Sequence, residues 1–246
     1  INIISINWNK MSAITVTDIF MVIGITLFAG GTSFIGAIIA KYIHFSTSVL
    51  LFLTAFGAGI LIAAAIFEMV IQAEKSIGLI PTLVFFIFGA IIFTIADVIA
   101  TRKGGGADIL IGIGLDSIPE SLAIGASIAS GSAFAIALLI GIQNIPEGIA
   151  AFKEMRTGKT AFKDSKRALY AIGVISLIPV ILGLVGLFFL QGLHYIIGLI
   201  LALSAGGIYY MLFYDMIPKA HKDRKWLPTF GAILGFIIGF AIVRLF

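Results

Sequence analysis

The chain has 246 residues, of which 60% are hydrophobic and only 11% charged. Water-soluble domains carry about a quarter charged residues and under half apolar ones, so a soluble enzyme, a nucleic-acid-binding protein and a disordered chain are excluded. The net charge of +4 bears on membrane topology rather than on nucleic acid, and the absence of cysteine removes disulfides and thiolate metal sites.

The expected fold is all-α and membrane-embedded, because the alternating ten-residue strands of a membrane barrel do not occur. A helical crossing needs about 20 mostly apolar residues. Eight such segments run over 17–40, 48–73, 81–100, 107–130, 132–152, 168–190, 195–218 and 228–246. They make a single transmembrane domain of 1–246, whose longest connection is the basic stretch 153–167. The first span has too polar an upstream flank for a cleaved signal peptide. Its Gly24, Gly30, Gly31 and Gly36, with Gly57 and Gly59 of the second, permit close helix approach. Glu68 falls near one end of the second span. Asp97 and Asp108 fall at the ends of the third and fourth, as interface acids. Gly104-Gly105-Gly106 lacks the Lys and Ser/Thr of a phosphate loop and reads as a connector.

The fourth and fifth spans hold the chemistry. One contains Asp116-Ser117-Ile118-Pro119-Glu120 and the other Gln143-Asn144-Ile145-Pro146-Glu147. In each unit the first and last residues are four apart, on one helix face. The turn between the spans is centred near Gly131, so Asp116, Glu120, Gln143 and Glu147 share a slab roughly 16–24 Å below it, inside the hydrocarbon. An ionised carboxylate there costs about 2.5–3.5 kcal/mol, and the three acids together roughly 8–10 kcal/mol. Neither span has an internal Lys or Arg to offset this. The acids are then either protonated or turned to a wet cavity holding a cation, and three level acids with an amide fit a divalent ion best. Pro119 and Pro146 cannot donate to the carbonyls of Leu115 and Ile142; such freed carbonyls are tolerated where they line a cavity.

Further along, Ile178 precedes Pro179 in the sixth span, and the seventh contains Ala205-Gly206 followed by Tyr214-Asp215-Met216. The second span has the same spacing in Ala58-Gly59 and Phe67-Glu68-Met69. Corresponding segments running in opposite directions mark inverted-repeat transporters, here a 3+2+3 arrangement with Glu68 and Asp215 as acids at the two mouths of a pathway. With both termini outside, the inner connections hold Lys41, Arg102, Lys103, Lys153, Arg156, Lys159, Lys163, Lys166, Arg167, Lys219, Lys222, Arg224 and Lys225. Only Lys10, Lys75 and Arg244 lie outside. His44, His194 and His221 sit at span ends as surface residues.

At Gln143-Asn144-Ile145-Pro146-Glu147-Gly148-Ile149-Ala150, and at Ala205-Gly206-Gly207 with Asp215-Met216-Ile217-Pro218, the sequence resembles the ZIP family of divalent metal transporters. The resemblance implies eight spans with both ends outside and an elevator-like movement of spans one, four, five and six against the rest. It also implies a first metal site of Asp116, Glu120, Gln143 and Glu147, and a second drawing on Ser117, Asn144, Glu120 and Glu147. The chain departs from the family in having Asp116-Ser117 where His-Asn is usual, and Ile178 where many members have an acid, which points to a single-metal centre. Tyr214, Asp215 and Lys219 replace the common His, Glu and Glu. Carboxylate in place of imidazole hardens the site toward Mn²⁺ or Fe²⁺, while affinity order favours Zn²⁺.

The expected function is import of a divalent transition metal, with no resident cofactor and no enzymatic activity. The implied partners are the metal ion, the lipid of a plasma or inner membrane and, as one option, a second copy in a homodimer. Two other readings are a metal-binding sensor or structural subunit, and an intramembrane aspartyl protease using Asp116 and Asp215. The latter leaves Glu120 and Glu147 without a role.

Overall fold

The computed structural model describes residues 14–103, 107–128, 133–157, 162, 164–221 and 226–245, with the backbone alone at 100–103, 107, 108, 116 and 119. Among them the regular structure is helical throughout, without a strand. Among the described residues eight helices are long and apolar enough to cross a bilayer. These are α1 (Val16–Tyr42), α2 (Thr47–Ile77), α3 (Leu79–Lys103), α4 (Ala107–Ala126), α5 (Ala133–Thr157), α6 (Ser165–Leu190), α7 (His194–Ala220) and α8 (Trp226–Leu245).

Local chemistry sets several of these ends. The Asp18 amide donates to the Thr15 hydroxyl, and the Thr15 amide donates to the Asp18 carboxylate at 2.8 Å, a reciprocal cap on α1. α2 stops at Gly78, whose φ of 82° needs a residue without Cβ. α5 runs past the expected end at 152, because Phe152 and Met155 continue its buried stripe against Ala168 and Ile172 of α6. Lys153, Glu154 and Arg156 are thus helical residues rather than loop.

α4 and α5 continue through Pro119 and Pro146. The break falls instead in α6, where Ser176 and Leu177 leave the helix and Pro179 begins its second half. Pro179 has no N–H for the carbonyl of Ile175, and its ring crowds that turn. Single π-turns, which insert an extra residue into the ladder, interrupt α2 at Ala65–Val70, α6 at Gly186–Leu190 and α7 at Leu212–Met216.

Helices pack chiefly as α1 on α5, α2 on α8, α3 on α7 and α4 on α6. Each crossing places glycines directly against facing backbone carbonyls. Gly148 lies on Ser33 and Gly36 on Ile145; Gly59 lies on Ala232 and Gly235 on Phe56. Likewise Gly206 meets Phe86, Gly89 meets Leu203, Gly125 meets Gly183 and Gly186 meets Leu122. Lipid is as apolar as leucine, so helices associate through such close backbone approach rather than through desolvation. A shift of 147 positions carries Gly59 onto Gly206, Phe56 onto Leu203 and the π-turn of α2 onto that of α7. The outer faces are greasy: Leu83, Ile87, Ile91 and Ile95 of α3 are all exposed, as a lipid-facing helix requires.

Candidate metal centre

α5 builds the centre by simple periodicity. Gln143, Glu147 and Glu154 recur at four and seven residues, so one face of the helix carries all three. That face borders a cavity of about 280 Å³ enclosed by α2, α3, α4, α5 and α7, room for on the order of ten waters. Gln143 and Glu147 stand at one end of it, and Asp97, Glu154, Asp215 and Lys219 at the other. The far end is the one bearing the α5–α6 and α7–α8 connections. The Lys153 ammonium donates there to the Phe45 carbonyl between α1 and α2 at 2.8 Å.

The Gln143–Glu147 end of the cavity is acidic and largely buried. Gln143 donates weakly from Nε2 to Glu147 Oε2 at 3.4 Å. Glu120 of α4 is 4% exposed and close enough to Glu147 for the two carboxylates to repel when ionised. Glu120 stands behind Glu147 and does not border the cavity. Among the described residues no cation lines this end; Lys219 is at the opposite one. Two like charges in low dielectric stay ionised together only with a counter-charge between them. Such a pair, helped by a neutral amide oxygen, suits a hard or borderline dication.

The other expected ligands are placed as follows. Ser117 is buried and donates its hydroxyl to the Ile113 carbonyl one turn back, at 2.7 Å. Asn144 is buried and reaches across to α1, donating from Nδ2 to the Ala29 carbonyl at 2.8 Å. It therefore fastens α5 to α1 next to the Gly148–Ser33 contact. The Asp116 side chain lies outside the described residues, as does that of Pro119. Among the described residues no group of three His, Asp or Glu converges on one point. The structure thus gathers Glu120, Gln143 and Glu147, and turns Ser117 and Asn144 toward backbone carbonyls. Replacing Asn144 by Ala is expected to cost only about 1 kcal/mol of stability, since Thr32 still donates to the Ala29 carbonyl at 2.7 Å; thermal unfolding in detergent measures it.

Of the two pathway acids, Asp215 borders the cavity, held 2.8 Å from Lys219 Nζ. Glu68 does not. It sits half-buried on the π-turn of α2, accepting from Gln72 Nε2 at 2.5 Å. Asp97, expected as a plain interface acid, also lines the cavity and accepts from the Tyr210 hydroxyl at 3.0 Å. Sequence reasoning passed over Glu154 and Tyr210. For Glu154 a signal existed, seven residues from Glu147; for Asp97 and Tyr210 only the α3–α7 crossing brings them together. His44, His194 and His221 are exposed at span ends, as expected.

Eight apolar crossings around a cavity lined by Asp97, Glu147, Glu154 and Asp215 define an integral membrane protein. Residues 105–246, which hold both acidic units and α4 to α8, match the ZIP zinc transporter family, and the chain belongs to that family. Set against curated proteins, the chain matches none of them. It is an integral membrane transporter of divalent metal ions and not an enzyme, which removes the aspartyl protease reading.

Proposed function

We propose that the protein carries a divalent transition metal, Zn²⁺, Fe²⁺ or Mn²⁺, into the cytoplasm through a carboxylate site between α4 and α5. Asp116, Glu120, Gln143 and Glu147 are its ligands, with Ser117 and Asn144 contributing beside them. Asp215 guides the ion at the inner mouth and Glu68 at the outer. The observation that carries this reading is the cavity, which leads from the basic end of the bundle to Gln143 and Glu147 with Glu120 behind them. By the positive-inside rule the basic end faces the cytoplasm and both termini face out of it. The conformation described is then the inward-facing one, in the plasma or inner membrane.

An inverted repeat supplies the alternating access. Its support is that the α2–α8 glycine contacts recur between α7 and α3, at a shift of 147 positions from α2 to α7 and of 146 from α3 to α8. The α1–α5 contacts recur between α6 and α4 at a shift of 150 rather than 147, Ser33 and Gly148 corresponding to Gly183 and Gly125. Glu120 then corresponds to Gln143, a one-turn offset from the match of the two Ile-Pro-Glu units. A body of α1, α4, α5 and α6 moves against α2, α3, α7 and α8, and the glycine crossings within each body stay intact.

The test is uptake into proteoliposomes with Zn²⁺, Fe²⁺, Mn²⁺ and Cd²⁺ in competition. Asp116→His is expected to raise the preference for Zn²⁺ over Mn²⁺ by roughly tenfold, because imidazole suits zinc and carboxylate suits manganese. An unchanged ion ranking counts against Asp116 as a ligand. Metal bound without uptake points instead to a sensor or structural subunit.

A further inference from the structure

The cavity ends in an ion triad that the proposed metal pathway uses only through Asp215. Lys219 Nζ lies 2.8 Å from Asp215 Oδ1, one turn back on α7, and 3.0 Å from Glu154 Oε2 on α5. It therefore joins two walls of the cavity. All three side chains are about half exposed and line the cavity. An ion pair of this exposure biases an equilibrium by about two- to fivefold, not more.

The other mouth is built differently. A shift of 147 positions takes Lys219 back to Gln72 and Asp215 back to Glu68. The same four-residue spacing on the equivalent π-turn is kept, and Gln72 donates to Glu68 as Lys219 does to Asp215. An amide, however, carries no charge with which to hold a second carboxylate on another helix. The cavity does not border Glu68 or Gln72.

We propose that Lys219 is a positioning residue for transport, tying α5 to α7 and favouring the conformation in which the cavity reaches Glu147. Gln72 supplies no such tie at the opposite mouth, so the two otherwise matched ends are unequally weighted. A contact made in one conformation and lost in the other shifts the populations by its own free energy. This inference rests on the alternating-access reading, in which α5 slides past α7.

The chain has no cysteine, so a single cysteine replacing Ala150, on the cavity wall, reports how often the cavity is open. The full chain in lipid nanodiscs is treated with iodoacetamide, a small neutral reagent, and the rate of alkylation is measured. With Lys219 intact, A150C is expected to react. K219M and E154Q should each slow that reaction about two- to fivefold, their combination should slow it no further, and K219R should restore the native rate. E154Q breaks the same tie while leaving the lysine in place, so it covers the case in which K219M fails to fold. An unchanged or faster rate in K219M or E154Q, or additive effects in the double variant, overturns the tie while the cavity stands. No reaction in A150C with Lys219 present overturns the cavity-based reading and the tie with it.

Discussion

Glu147→Gln is expected to reduce metal uptake by about a hundredfold or more, while leaving the protein as stable as before or more so. Glu147 is the acid that both borders the cavity and faces the buried Glu120. Outer-shell partners of a bound metal are worth about ten- to a hundredfold, and loss of a charged ligand exceeds that. Without metal, the same carboxylate is a liability. Its hydrogen bond from Gln143 is long, at 3.4 Å, and its neighbour is another acid. An ionised carboxylate at this depth costs about 2.5–3.5 kcal/mol, part of which an isosteric amide recovers. Transport should therefore collapse while the melting temperature of the metal-free protein in detergent holds or rises. A parallel fall in both would mean that Glu147 is a packing residue, and the proposed centre would be lost.

Gly148→Val is expected to cost about 3 kcal/mol, lowering the melting temperature by about 6–12 °C. A Cβ at Gly148 meets the carbonyl oxygen, carbon and Cα of Ser33, which are backbone atoms that no rotamer change can clear. α1 and α5 would have to part, and the Asn144 bond to the Ala29 carbonyl would go with them. Gly24→Ala serves as the control, since nothing lies within 4 Å of its added carbon. Helix propensity then favours alanine by up to about 1 kcal/mol. Melting curves of the two variants, beside the native chain, decide the matter. Equal losses would deny that close backbone contact holds this pair together.

Much of this architecture is legible in the amino-acid sequence, because lipid imposes few and severe rules. A crossing must be helical, apolar and about 20 residues long, so the eight spans and their order follow from composition alone. The cost of ionised groups at depth singles out Asp116, Glu120 and Glu147 from sequence position alone. Hairpin counting puts Gln143 level with them. The metal-transporter class follows from the Pro-Glu units, and residues 105–246 place the chain in the family.

Other features needed the folded chain. Which proline breaks its helix was one: the break falls in α6 at Ser176–Leu177, while Pro146 stays within continuous α5. A proline's effect depends on what else packs around the freed carbonyl, and a linear pattern does not contain that. The role of Asn144 was another, since its partner, Ala29, lies 115 residues away. The inner mouth was the third. Asp97 and Tyr210 come from α3 and α7, while Lys219 joins Glu154 of α5 across the cavity. Span count, depth and intrinsic charge are properties of one segment in one solvent, and the sequence determines them. Pairings between segments depend on how glycine-lined helices cross, and only the tertiary structure decides which charge meets which.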